Sequence, residues 1–208
     1  EEDILTNQNL IENGTVIDKL LQSLIVTPID YNNLLLGDKN AILIAARILG
    51  YGSDYTFTYN GEEINIDLTT IKDKQLDESL IVDGKNEFSF TLPTSKKEVT
   101  FKFLTHGDEQ KITRELKGLK KLNKNASNDL TTRMKYVLTS IDGDYETKTI
   151  REFVDNEFLA RDARELRNYI SKIQPSVDLS FDYEDQRGNI TTIDIPVGIN
   201  FFWPDASV

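Results

Sequence analysis

What most limits the folds open to this chain is that its apolar residues change period along the sequence, from helical to alternating, back to helical and back again. Val16, Ile17, Leu20, Leu21, Leu24 and Ile25 recur at the spacing of one helix face, and Pro28 ends the run. This predicts a helix over about 15–26. A second helix is expected over 40–49, capped at Asp38, with Arg47 as its only charge among Ala41, Ile42, Leu43, Ile44, Ala45, Ala46, Ile48 and Leu49. A helix apolar on nearly every side belongs at the centre of a core. Gly50-Tyr51-Gly52 closes it, because glycine accepts the left-handed conformation at a helix C-terminus.

The period then becomes two. The runs 54–59 and 63–68 alternate around Asn60-Gly61, a strong short hairpin signal. A second β region follows, with Phe88 and Phe90 on one face of 87–92 and Val99, Phe101 and Phe103 on one face of 98–104. From Asp108 the pattern is helical to Pro175. Ile112, Leu116 and Leu119 form one stripe, Leu130, Met134, Val137, Leu138 and Ile141 a second, and a short helix is expected near 150–154. A last helix places Leu159, Ala163, Leu166, Ile170 and Ile173 inward and Arg161, Arg164 and Arg167 outward, with Asp162 and Glu165 as local partners. Alternation returns in 177–183 and 190–195, a further hairpin, before Phe201-Phe202-Trp203-Pro204.

The chain thus reads as α+β, two helix-plus-hairpin units around a helical middle. Its segments are an N-terminal arm (1–14), helices with the first hairpin and second β region (15–105), a helical region (106–174), and the second hairpin with an aromatic tail (175–208). The run Asp54 to Tyr59 matches Asp178 to Tyr183 in character. Chance likeness of alternating strands and a duplicated helix–hairpin unit both account for this.

Composition removes several chemistries. Without cysteine the chain has no disulfide framework, thiol nucleophile or Cys-ligated zinc or iron–sulfur cluster of its own. With one histidine, His106, any imidazole acid–base chemistry must use that residue, and its place before a helix predicts a solvated loop side chain. The 38% hydrophobic content over 208 residues suffices for one core or two small ones. The longest apolar run, Ala41 to Ala46, falls far short of the roughly 20 residues of a membrane span. Glu1-Glu2-Asp3 lacks the features of a secretory signal, so the protein is expected to work where it is made unless an assembly carries it out. Asp142, Asp144 and Glu146 lack the later ligands of a calcium loop, and Gly50-Tyr51-Gly52 lacks the partners of a phosphate loop.

Lys111, Arg114, Lys117, Lys120, Lys121 and Lys124 crowd one helix of a chain whose net charge is -11. Clustered cations suit phosphates. The overall acidity and the lack of interleaved aromatics favour a solvated face or a dock for an acidic protein partner. In an extended tail, Phe201, Phe202 and Trp203 could not all enter one core, because successive side chains point to opposite faces. The tail is expected either to lock onto the second hairpin or to anchor a partner.

Leu36-Gly37-Asp38-Lys39-Asn40 running into its apolar helix, Ala46 to Tyr55, the Ser140-Ile141-Asp142-Gly143 turn and the Phe201-Phe202-Trp203-Pro204 terminus resemble the baseplate hub and hub-assembly proteins of T-even-type contractile-tailed phages. The resemblance runs from about Pro28 to Pro204. It implies a non-enzymatic structural or assembly role in the tail baseplate of the virion, assembled in the host cytoplasm. Other hub or wedge proteins would be its partners, in a symmetric multi-copy setting, with neither membrane nor cofactor. An assembly chaperone absent from the particle is the alternative, and a nucleic-acid-binding module on the Lys111 to Lys124 face a distant third. It also implies zinc-ribbon-like hairpins, but Tyr59-Asn60-Gly61-Glu62 and Tyr183-Glu184-Asp185-Gln186 stand where relatives carry cysteine pairs, so no metal site is expected.

Overall fold

The computed structural model describes residues 15–72, 74, 84–122, 128–184 and 188–202. The elements are α1 (Val16–Leu24), α2 (Leu36–Tyr51), β1 (Asp54–Tyr59), β2 (Glu62–Asp67), β3 (Phe88–Thr91), β4 (Glu98–Phe101), α3 (His106–Leu122), α4 (Asp129–Val137), β5 (Leu138–Ile141), α5 (Thr147–Asn156), α6 (Ala160–Ile173), β6 (Ser180–Glu184), β7 (Ile190–Asp194) and α7 (Ile199–Phe202). Short 3-10 turns cover Tyr31–Asn33 and Leu68–Thr70. This is an α+β fold whose strands are all antiparallel. The 1–14 arm lies outside the described residues.

Contacts group the segments in a way that their order along the chain does not. Residues 1–29, 37–74 and 176–208 make one unit, and 30–36 with 75–175 make the other. Both matched hairpins therefore belong to the first unit. The second β region joins the helical middle.

In the first unit, β1 pairs with β2 from Asp54↔Asp67 to Tyr59↔Glu62. Asn60 and Gly61 sit at φ 51° and 86°, the pair of left-handed residues that a two-residue hairpin turn demands. Tyr55, Phe57, Ile64 and Ile66 face inward, and the alternate residues face water. β6 and β7 pair from Ser180↔Asp194 to Glu184↔Ile190. The matched tyrosines of the two hairpins meet: Tyr59 and Tyr183 lie edge to face, 5.8 Å apart, and the Tyr183 hydroxyl donates to Glu62.

α2 departs from expectation. It starts at Leu36, so Asp38 sits in its first turn, and only one strip of it (Gly37, Leu43, Ile44 and Arg47) is buried. Leu49 is 87% exposed. The helix expected at the centre of the core is a surface helix whose buried strip includes its single arginine. Gly52, at φ 85°, ends it as expected, its N–H reaching the Ile48 carbonyl.

In the second unit, β4 lies between β3 and β5. Leu138 and Ile141, expected on a helix, stand on β5: the helix ends at Val137, and Val99 pairs with Ile141. One sheet face carries Val99 and Phe101 into a core with Leu92, Phe153 and Leu166. Phe90 stacks on Tyr169 of α6 at 4.9 Å.

Aspartates fix the turns of this unit. Asp162 has no exposed surface, and instead of pairing with an arginine it accepts the N–H groups of Thr94 (2.7 Å) and Ser95 (3.0 Å) across the β3–β4 turn. Burial pushes its carboxyl up, but the two amides outweigh burial and hold it below the ordinary value. Asp142, at φ 49°, accepts the Glu98 N–H at 2.9 Å.

His106 is the first residue of α3 and is 4% exposed, not solvated. Tyr31 packs edge-on against its ring at 4.7 Å, and its N–H donates to the Leu34 carbonyl. The 3-10 turn comes so close that a Cβ on Gly107 would lie 3.1 Å from the Asn32 carbonyl oxygen. A remote segment, not the local sequence, buries this histidine.

Replacing Asp162 with Ala removes the acceptor for two amides and is expected to cost about 2–3 kcal/mol in urea unfolding. Asp162→Asn, which keeps one acceptor oxygen, is expected to cost less.

Candidate functional site

The residues singled out from the sequence fall in different units. Lys111, Arg114, Lys117, Lys120 and Lys121 lie on α3, all exposed, while Ile112 is completely buried on the opposite side of that helix. Lys124 lies outside the described residues. Arg114 reaches Gln110, and Lys111 stands 4.0 Å from Asp108. Among the described residues Lys117, Lys120 and Lys121 form no ion pair, and all three are exposed.

Two bidentate ion pairs brace the helix beneath them. Glu109 accepts both guanidinium branches of Arg133 on α4 at 2.7 Å. Glu115 accepts Arg151 of α5 at 2.9 and 2.8 Å and the Tyr136 hydroxyl at 2.8 Å. The Arg151 hydrogen bonds hold the Glu115 carboxyl down at about 2, overcoming partial burial. Arg151 and Arg133 are raised in turn by their carboxylate partners. Glu109 and Glu115 point to neighbouring helices, Asp108 is buried against Lys102 and Thr105, and the basic residues face solvent, so the cationic face is set by the fold.

Phe201 and Phe202 end a short helix, α7, and this changes their chemistry. Consecutive side chains on a helix diverge by about 100° rather than opposing each other. Phe201 and Phe202 both bury, at 0% and 2% exposure. Phe201 lies edge-on to Tyr55 at 4.8 Å, and the Tyr55 hydroxyl donates to the Pro196 carbonyl at 2.9 Å. Of the two expectations for the tail, burial of Phe201 and Phe202 agrees with the internal lock, but Phe201 closes on Tyr55 of the first hairpin and not on the second. Trp203 lies outside the described residues.

Beneath the lock is Arg47, which sequence reading placed only as the lone charge of its helix. It donates to the carbonyls of Gly52 (2.8 Å) and Asp54 (3.0 Å), and its guanidinium lies 5.2 to 5.9 Å from the ring centres of Tyr51, Tyr55 and Phe201. Burial raises the Tyr55 phenol, and the nearby cation opposes this in part.

Charge separates by unit. The first holds 17 Asp and Glu against 6 Lys and Arg, the second 18 against 18, so the whole -11 resides in the hairpin unit. On the outer hairpin faces Asp54, Glu63, Asp67, Asp182, Glu184 and Asp194 are exposed, and Asp54 stands opposite Asp67. Like charges so placed repel across the strands.

No protein-family model, curated protein or solved structure matches the chain. Among the described residues no cluster of His, Asp and Glu could hold a metal ion, and no helix is long and apolar enough to cross a membrane. In a depression of about 280 Å³ on the polar face of β3–β5, the Thr100 hydroxyl bonds Thr139 and Ser140 at 2.6 Å. These hydroxyls satisfy one another. What the geometry presents is surface: a braced cationic helix and an acidic hairpin unit.

Phe201→Ala is expected to lower stability by about 3–4 kcal/mol in the isolated chain, as for other fully buried rings, measured by chemical unfolding. The Glu115 pair stabilises fully above the ordinary carboxyl value of 4.5, and that contribution fades as pH falls towards 2. Glu115→Gln is therefore expected to flatten the fall in urea midpoint over that acid range.

Proposed function

We propose that this chain is a structural or assembly component of a contractile phage-tail baseplate, in the hub region, and that it works through protein–protein contacts and not by catalysis. The motif resemblance supports the setting. The observation that carries the contact role is the exposed face of α3, where Lys117, Lys120 and Lys121 form no ion pair among the described residues and the helix is braced from behind by Arg133–Glu109 and Arg151–Glu115. Such a face suits the acidic surface of another hub or wedge subunit. Opposite charges steer encounter and select partners. In this reading the protein resides in the virion and reaches it by assembly in the host cytoplasm.

Quantitative mass spectrometry of purified particles is expected to find the chain in fixed stoichiometry with other baseplate proteins. Its absence from finished particles would transfer the role to an assembly chaperone. Charge reversal of Lys117, Lys120 and Lys121 to Glu is expected to reduce particle yield while the isolated protein keeps its melting temperature. Intact assembly with loss of DNA retention on a gel would instead favour nucleic-acid binding.

A further inference from the structure

The hairpin unit contains an open strand edge beside a groove. Among the described residues β1 pairs only with β2. The Leu68 N–H bonds the Ser53 carbonyl, and the register then directs the backbone groups of Tyr55, Phe57 and Tyr59 at β2. Those of Asp54, Thr56 and Thr58 point the other way. Arg47 takes the Asp54 carbonyl. Among the described residues no backbone hydrogen bond reaches Thr56 or Thr58 on that side.

The edge opens onto a groove of about 530 Å³, floored by Tyr55, Thr56, Phe57 and Thr58 and walled by Pro196, Asn200 and Phe201. Natural proteins blunt such edges with lysine, proline or a bulge. The run Asp54-Tyr55-Thr56-Phe57-Thr58-Tyr59 has neither residue, and its register is unbroken.

We propose that this edge accepts an extended segment of a partner protein as a third strand, bonded to the backbone of Thr56 and Thr58. Alternate residues of the segment are apolar and the others are Lys or Arg. The apolar residues face the Tyr55, Phe57 and Phe201 side. The basic residues lie on the outer face, where Asp54, Glu63 and Asp67 are exposed. A second copy of β1 fits less well, because it brings two units of charge -11 together. The inference rests on the edge itself and not on the baseplate reading: particle composition tests that reading, and peptide binding in solution tests this one.

The probe is a fluorescein-labelled, end-capped peptide, Lys-Val-Lys-Val-Lys-Val-Lys, titrated into the full chain and followed by anisotropy. A control of the same composition carries its valines as one block. The alternating peptide is expected to bind at least about tenfold more tightly than the control, because main-chain bonding requires a regular strand. Thr58→Pro removes an N–H that β2 does not use, a position where an edge strand tolerates proline. It is expected to abolish the preference while circular dichroism stays unchanged. Amide exchange on the unmutated chain provides a readout that needs no variant, with Thr56 and Thr58 expected to gain protection when the peptide binds. No binding, equal binding of both peptides, or unprotected Thr56 and Thr58 amides would overturn the proposal. A dimer of the chain alone that Thr58→Pro dissolves would overturn it in favour of self-pairing.

Discussion

The buried guanidinium of Arg47 is the constraint around which the hairpin unit is arranged. A charge taken out of water must be surrounded by acceptors and polarisable groups or it destabilises the fold. Here the acceptors are two main-chain carbonyls, Gly52 at the end of α2 and Asp54 at the start of β1. The helix-to-strand corner is thereby held by a side chain from the helix itself. The rings of Tyr51, Tyr55 and Phe201 supply the remainder, so the final helix packs on a platform that the arginine organises. Its Nε is buried without a hydrogen-bond partner among the described residues. The arrangement tolerates one unmade hydrogen bond alongside two hydrogen bonds and three ring contacts.

The second unit solves the same problem with the opposite charge. Asp162 and Asp142 each reach from elsewhere in the sequence to main-chain N–H groups of the β3–β4 hairpin, and Glu109 and Glu115 each grip an arginine from a neighbouring helix. Carboxylates consumed internally leave lysines on the outside, which is how a unit with balanced charge presents a cationic face. In the hairpin unit Asp54, Glu63, Asp67, Asp182, Glu184 and Asp194 have no cationic partner among the described residues and face solvent. Both surfaces follow from where each unit places its internal pairs.

Local signals in the sequence were reliable where the cause was local. The Asn60-Gly61 turn, the inward Tyr55, Phe57, Ile64 and Ile66, and the Gly52 helix end all follow from φ preference and period two. The misread positions are those whose state is decided by a distant segment. Leu138 and Ile141 continue a helical spacing from Met134, yet the open edge of β4 recruits them as a strand. His106 looks like loop until Tyr31 covers it, and the helix around Arg47 reads as the centre of a core although only one strip of it is buried. Of the candidate residues, the basic face was legible because amphipathic spacing is written in one helix. Phe201 and Phe202 left lock and anchor open, because alternation puts successive side chains on opposite faces whereas the helical turn they form lets both bury.

The hairpin unit is assembled from both ends of the chain, and this sets the order in which the molecule can be made. Tyr55 waits 141 residues for Pro196. At about 5–20 residues per second of synthesis, that is roughly 7–28 seconds during which α2 and β1 exist without α7. The inserted unit, by contrast, has every one of its segments once Pro175 has emerged. A nascent chain therefore carries one completed half and one half waiting, with Tyr55 and Phe57 uncovered. A partner or chaperone that meets the chain on the ribosome encounters a hairpin without its covering helix and the lysine face already in place.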